Sequence, residues 1–300
     1  MEHFPTAFAD RTGRIDHSDR IDHTDRTAGA NRLDRLKATA LELAVLTGHL
    51  VLYPSGLVGE RPKGAVLPAG KDADGRVGHD GGTASRPVVL LHGFVDNRSV
   101  FVLLRRALAR HGHDCVASLN YSPLTCDLRS AAELLDRRVS ELLDRTGHTE
   151  VDLVGHSLGG LIARYYVQRL GGAARVRTLV MLGTPHSGTV FAPLAVADAH
   201  PLVRQMRPGS EVLRELAGPA PGCRTRHVSF WSDLDQVMVP VETARLDHPD
   251  LLVHNVRVSG IGHLALPVHP TVATGILRAL GGGGRAAGAQ DGPAGTSSVA

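Results

Sequence analysis

The sequence predicts an α/β fold: a mostly parallel sheet with helices on both faces and a small helical cap. Three observations lead there. Short apolar runs recur along the chain, and most are continuous rather than alternating, as in strands buried on both faces. Segments with helical spacing separate them. The glycine-rich turn "GHSLGG" joins one apolar run directly to the helical pattern that follows it.

The totals suit such a fold. The chain has 300 residues, 42% of them hydrophobic and 21% charged, enough for a sizeable core. Its 33 basic residues nearly balance 30 acidic ones. With no basic run and few aromatics, nothing points to nucleic acid as a partner. The three cysteines, Cys115, Cys126 and Cys223, match no zinc spacing and read as buried or free thiols. A Cys115–Cys126 bridge stays open for an exported chain.

Residues 1–31 read as a disordered polar tail. They carry the tandem "RIDHSD", "RIDHTD", whose Arg, Asp and His cannot build a core. His17, Asp19, His23 and Asp25 have metal-ligand chemistry but no scaffold to hold them, so no metal site is assigned. No apolar segment of a secretory signal follows the first residues, which favours the cytoplasm. Residues 32–86 read as an amphipathic helix followed by a mobile loop rich in Gly, Asp and Ala. Within the helix, "ALELAVLTGHLVLYPSGL" is interrupted by Glu42 and His49 and is too short to span a bilayer. It is expected to dock on the protein itself, with peripheral membrane contact through residues 40–53 as the alternative.

The folded unit is expected over 87–281. Its strands are "PVVLLHG" (87–93), "DCVASLNY" (114–121), "VDLVG" from Val151, "VRTLVMLG" (176–183), "HVSFW" (227–231) and "LLVHNVRVSG" (251–260). Helices fall at 100–112, ending at Gly112, and at 131–147, with Ser130 and Glu133 as a capping box. Two more follow Ser157 and span about 270–280. Residues 190–224 are expected to form the cap, with Phe191, Leu194, Val203, Met206 and Leu213 as acyl-site candidates. Residues 282–300, rich in Gly and Ala, read as a disordered tail.

The chemistry starts at Gly155-His156-Ser157-Leu158-Gly159. Strand, G-x-S-x-G, then helix is the context in which a serine sits exposed on a sharp turn. The flanking glycines let neighbouring backbone crowd in. A nucleophilic serine needs oxyanion donors, each worth roughly 3 kcal/mol in the transition state. The Leu158 amide, at a helix N-terminus, is one candidate. The Phe94 amide, in "LLHGF" after an early strand, is the other. His92 is read as ordering that loop rather than as a base. With this elbow the acid and then the base follow the serine along the chain. Asp235 in "SDLDQVMVP" is the favoured acid and Asp233 its rival. His263 in "GIGHLALP" is the favoured base and His269 the weaker choice.

Together "LLHGF", "GHSLGG", "LGTPHSGT", "SDLDQVMVP" and "GIGHLALP" resemble the α/β-hydrolase lipases and esterases, in the same order, over about residues 87–280. The likeness is to small bacterial triacylglycerol lipases. It implies a triad of Ser157, Asp235 and His263 and an oxyanion hole from Phe94 and Leu158. It implies carboxylic ester hydrolysis through an acyl-enzyme, on acylglycerols or other lipid-like esters, with no metal or organic cofactor. His186, in the "GTPHSGT" segment, is then a structural or pocket-lining residue. The sequence has HGF where many esterases have HGGG. An acyltransferase with the same triad and a non-catalytic lipid- or protein-binding scaffold remain as alternatives. Acyl-chain length and oligomeric state are not legible.

Overall fold

A computed structural model describes residues 32–57, 85–94, 96–121, 127–190, 200–281 and 296–299. The expectation of a tail at 1–31, most of the 68–86 loop, Cys126, Phe191 and Leu194 lie outside them.

The strands are β1 Val88–Leu91, β2 Val116–Leu119, β3 Val151–His156, β4 Val176–Leu182, β5 Arg226–Ser232, β6 Leu252–Val258 and β7 Thr296–Val299. They lie in the order β2-β1-β3-β4-β5-β6-β7, and every pairing is parallel. The helices are α1 Arg32–Leu57, α2 Val102–Arg110, α3 Leu128–Thr146, α4 Leu158–Arg169, α5 Pro201–Gln205, α6 Glu211–Ala217 and α7 Pro270–Gly281.

The two-residue period of a strand sends side chains to opposite faces, and two cores result. Val89, Leu91, Val151 and Leu153 point to the face covered by α3 and α4. Val88, Leu90, Val154 and Val180 point to the other, covered by α2 and α7. Helix α1 joins this second face through Val45. Its helical run is longer than the apolar stretch in the sequence and continues through Pro54 to Leu57.

Three sequence expectations need correction. Helix α3 begins at Leu128, earlier than a Ser130 cap would allow: Asp127 is the N-cap, and its Oδ1 accepts the Ser130 amide at 2.7 Å. An aspartate offers the same capping oxygen as a serine, one turn earlier. Thr296–Val299, inside the segment expected to be a disordered tail, pair with Asn255–Val258 as an edge strand. An uncovered parallel edge offers a row of backbone donors and acceptors that such a segment can satisfy. Strand β6 is not continuously buried, since its first four residues alternate between exposed and half-buried.

The sheet order also fixes where a site can be. From β1 the chain runs outward to β2, then returns to lay β3 on the other side of β1. Parallel sheets open a crevice at the carboxyl ends of the strands where the order reverses. Here that point lies between Gly93-Phe94, after β1, and Ser157, after β3.

Asp152 sits inside this sheet, 1% exposed, with Arg86 3.8 Å away. Burial pushes its carboxyl up to about 6, against the pull of the Arg86 charge. The folded state therefore holds a proton that the unfolded chain has already released. The associated stability is present below pH 3.8 and is lost as pH rises through about 6. Asp152→Asn is expected to raise stability relative to wild type at pH 7.5, by on the order of 2 kcal/mol, and to have little effect near pH 4. Denaturant titrations at both values check this; an equal effect at both would contradict it.

Candidate active site

Ser157 has φ +53° and ψ −119° and, among the described residues, is the one non-glycine with positive φ. Such a conformation costs about 1–3 kcal/mol and persists only where the surroundings impose it. The surroundings here are backbone. A Cβ on Gly155 would lie 2.6 Å from the Gly160 nitrogen, and one on Gly159 would lie 2.4 Å from the Leu91 carbonyl oxygen. On Gly160 it would lie 1.9 Å from Thr184 Oγ1. The Ser157 amide donates to the Leu182 carbonyl at 2.8 Å, which ties the turn to the end of β4.

The two other candidates sit at successive strand ends. Asp235 follows β5 and is 3% exposed; His263 follows β6 and is 4% exposed. His263 Nδ1–H donates to Asp235 Oδ2 at 2.8 Å. The other carboxylate oxygen accepts the amides of Val237 and Met238, both at 2.9 Å. Burial alone would raise the Asp235 carboxyl, but the His263 charge and these hydrogen bonds hold it below the usual value. Burial would likewise lower the His263 imidazole, and the Asp235 carboxylate overcomes it, leaving His263 above its ordinary value. Gly183, at φ +52°, makes room for the pair. A Cβ there would meet His263 Nδ1 at 2.9 Å and Asp235 Oδ2 at 3.0 Å.

Ser157 and His263 line one cavity of about 100 Å³ with Gly93, Phe94, Asp96, His156, Thr189, Met206, Val237, Met238 and Leu264. No hydrogen bond joins Ser157 to His263 among the described residues; such bonds often tighten only once substrate is bound. Leu158 opens α4, where the first amides have no acceptor in their own helix. Phe94 lies in the turn after β1, on the cavity wall.

The rival residues are engaged elsewhere. Asp233 Oδ2 pairs with Arg257 at 2.9 Å. His269 Nδ1 accepts the Thr271 amide at the start of α7. His92 Nδ1 donates to the Gly93 carbonyl at 2.9 Å, its ring stacks on Tyr121, and the Tyr121 hydroxyl donates to the His92 carbonyl. His186 is buried against Ser229 Oγ at 3.0 Å, and burial lowers it well below its ordinary value. Among the cap candidates, Met206 reaches the cavity, while Val203 and Leu213 are buried. Helices α5 and α6 pack against α3 and α4. The Leu128 amide donates to Gln205 Oε1, and Arg129 pairs with Glu215.

Three residues around His263 were not singled out from the sequence. His156, inside the serine motif, donates from Nε2 to the His263 carbonyl at 3.1 Å. Asp96 Oδ2 lies 3.4 Å from His156 Nδ1. Glu42 contacts the amides after His263. The available signals were the variable position of the motif, an acid four residues after His92, and one charge in an apolar helix. None of these specifies a contact across the fold.

A larger cavity of about 610 Å³ is lined by Ser187, Asp247 and His248 among others. His248 cannot serve as a base there. Its Nδ1 accepts the Asp250 amide and its Nε2 donates to the Gly218 carbonyl. Among the described residues, no group of three or more His, Cys, Asp or Glu is placed to hold a metal, and no helix is long and apolar enough to cross a membrane.

Comparison with known proteins agrees with this architecture. A family model for the alpha/beta hydrolase fold matches residues 86–213. The mature form of Bacillus licheniformis lipase BlEst2 is similar at a TM-score of 0.52 and 18% identity, over 62% of this chain and 87% of that one. The lin2722 gene product of Listeria innocua gives 0.52 and 15%, over 72% and 99%. Aspergillus fumigatus lipase B gives 0.52 and 18%, over 67% and 55%. At these identities the likeness is one of fold. No curated protein matches the sequence.

Because Asp235 is the group that raises His263, Asp235→Asn is expected to lower the His263 pKa and Asp233→Asn to leave it unchanged. NMR titration of the imidazole reads this directly. The opposite pattern would assign the acid to Asp233.

Proposed function

The chain carries the α/β-hydrolase fold, and from that premise we propose that it is a serine hydrolase of carboxylic esters working through an acyl-enzyme on Ser157. One observation carries the reading. A serine held at positive φ on a strand-to-helix turn shares a cavity with a histidine whose Nδ1 is bonded to a buried carboxylate.

Ser157 Oγ attacks the ester carbonyl carbon while His263 Nε2 takes the hydroxyl proton. Asp235 holds the imidazole in the tautomer with Nε2 free and stabilises the cation that forms. The amides of Leu158 and Phe94 receive the developing oxyanion. Collapse breaks the ester bond, and His263 returns the proton to the leaving alcohol. Water then attacks the acyl-serine by the same route and releases the carboxylic acid. The strain at Ser157 belongs to the free enzyme and keeps Oγ clear of its own helix.

The cavity wall favours an apolar acyl group, with Phe94, Met206, Val237, Met238 and Leu264 on it. Helix α1 turns Leu36 and Leu43 outward, 67% and 64% exposed. These features support lipid-like esters as substrates and peripheral contact with a lipid surface.

A fluorophosphonate probe and hydrolysis of short p-nitrophenyl esters test the reading together. Wild type should be labelled and active, with the rate falling as pH drops through a value above that of an ordinary imidazole, where His263 gains a proton. Ser157→Ala should lose both properties. Asp235→Asn should lose on the order of 10²–10⁴-fold in kcat, and Asp233→Asn should stay near wild type. Labelling that survives in Ser157→Ala would reject the serine; a folded wild type that neither labels nor hydrolyses would reject the function.

A further inference from the structure

Helix α1 reaches the site at one point. Glu42 Oε2 accepts the Leu264 amide at 3.0 Å, and Oε1 accepts the Ala265 amide at 2.9 Å. These amides are the two that follow His263. On the other side of His263, a Cβ on Gly262 would lie 2.4 Å from Glu42 Cδ. One carboxylate therefore spans the turn from residue 262 to 265, and the glycine permits the approach.

The rest of that turn is held by its carbonyls. Ser232 Oγ donates to the Ile261 carbonyl and His156 Nε2 to the His263 carbonyl. Those two donors come from β5 and β3, inside the sheet. The amides find their acceptor on α1 instead. A carboxylate on backbone amides makes charge-assisted bonds, roughly twice as strong as neutral ones. Glu42 is half-buried, on a helix that packs on the second core face through Val45.

We propose that Glu42 is a positioning residue of the active site, holding the 262–265 turn so that His263 faces Asp235 and Ser157 at once. This rests on the serine-hydrolase reading. Helix α1 then completes the site although it lies far upstream of the first strand. A side chain that fixes the base within a few tenths of an ångström acts mainly on kcat, because His263 moves protons rather than holding the acyl group; misplacement by about 1 Å can cost 10²-fold.

Glu42 also acts by charge. The groups facing His263 are Asp235 at Nδ1, the His156 ring at 4.8 Å, and the Asp96 and Glu42 carboxylates. Burial opposes protonation of His263, while the three acids favour it. Removing the Glu42 charge should let the His263 pKa fall, so the acid limb of the rate profile moves to lower pH.

The test compares Glu42→Gln and Glu42→Ala with wild type in the full chain. Ester hydrolysis gives kcat, KM and the acid limb, and NMR titration of His263 gives its pKa without turnover. Glu42→Ala should lower kcat about 10- to 100-fold with KM within about twofold. Glu42→Gln, which keeps one acceptor, should fall between it and wild type. Both should move the acid limb and the His263 pKa downward. An unchanged His263 pKa in folded Glu42→Gln would overturn the proposal, as would wild-type kcat in Glu42→Ala. If wild type hydrolyses no ester, the serine-hydrolase reading fails separately, and the imidazole titration still decides whether Glu42 acts on His263.

Discussion

Everything at this site depends on three backbones meeting around one strained serine. Strand β3 must end and α4 begin within a single residue, beside the end of β1. A side chain at Gly155 or Gly159 would overlap backbone atoms at 2.4–2.6 Å, and one at Gly160 would overlap Thr184. With those positions bare, the helix packs hard against the turn and Ser157 is left the conformation at φ +53°. The cost of 1–3 kcal/mol is small against a core built on both faces of the sheet. Its consequence is geometric: Oγ is presented to the crevice, with a helix N-terminus directly behind it.

The electrostatics then separate one histidine from the rest. Burial lowers His92, His156, His186 and His227, so each is held neutral and serves as a fixed hydrogen-bonding group. His263 is buried too, yet it is raised, because a carboxylate accepts its Nδ1–H. That carboxylate is held below its usual value in its own buried setting by His263 first and then by two amides of the Val237–Met238 turn. The loops that carry Asp235 and His263 are further joined where Ser232 reaches Ile261. The pair is thus organised by the fold alone.

Much of this was legible in the sequence because it follows local rules. Buried parallel strands write themselves as continuous apolar runs, and the serine turn needs its glycines at fixed offsets. Asp235 and His263 are legible as candidates because strand ends recur in order along the chain. Other features are not local. Asp127 and Ser130 both have capping chemistry, and only the packing of α3 decides between them. Thr296–Val299 carries no strong strand pattern and owes its pairing to the open edge of β6. Glu42 looked like a polar interruption of an apolar helix. Its two acceptor bonds lie more than 200 residues away along the chain and exist only once α1 has docked. Asp96 and His156 are similar, since their meaning comes from what surrounds His263 in space.

On the serine-hydrolase reading, Ser157, the amides of Leu158 and Phe94 and the Asp235–His263 pair act on one reacting carbon. The crystal structure of the protein after reaction with an alkyl phosphonate ester tests it most directly, because the adduct imitates the tetrahedral intermediate. Phosphorus is expected to be bonded to Ser157 Oγ. One phosphonyl oxygen should lie about 2.7–3.1 Å from the amides of both Leu158 and Phe94, with His263 beside the ester oxygen and still paired to Asp235. Phosphorus on another residue, or a phosphonyl oxygen turned away from both amides, would contradict it.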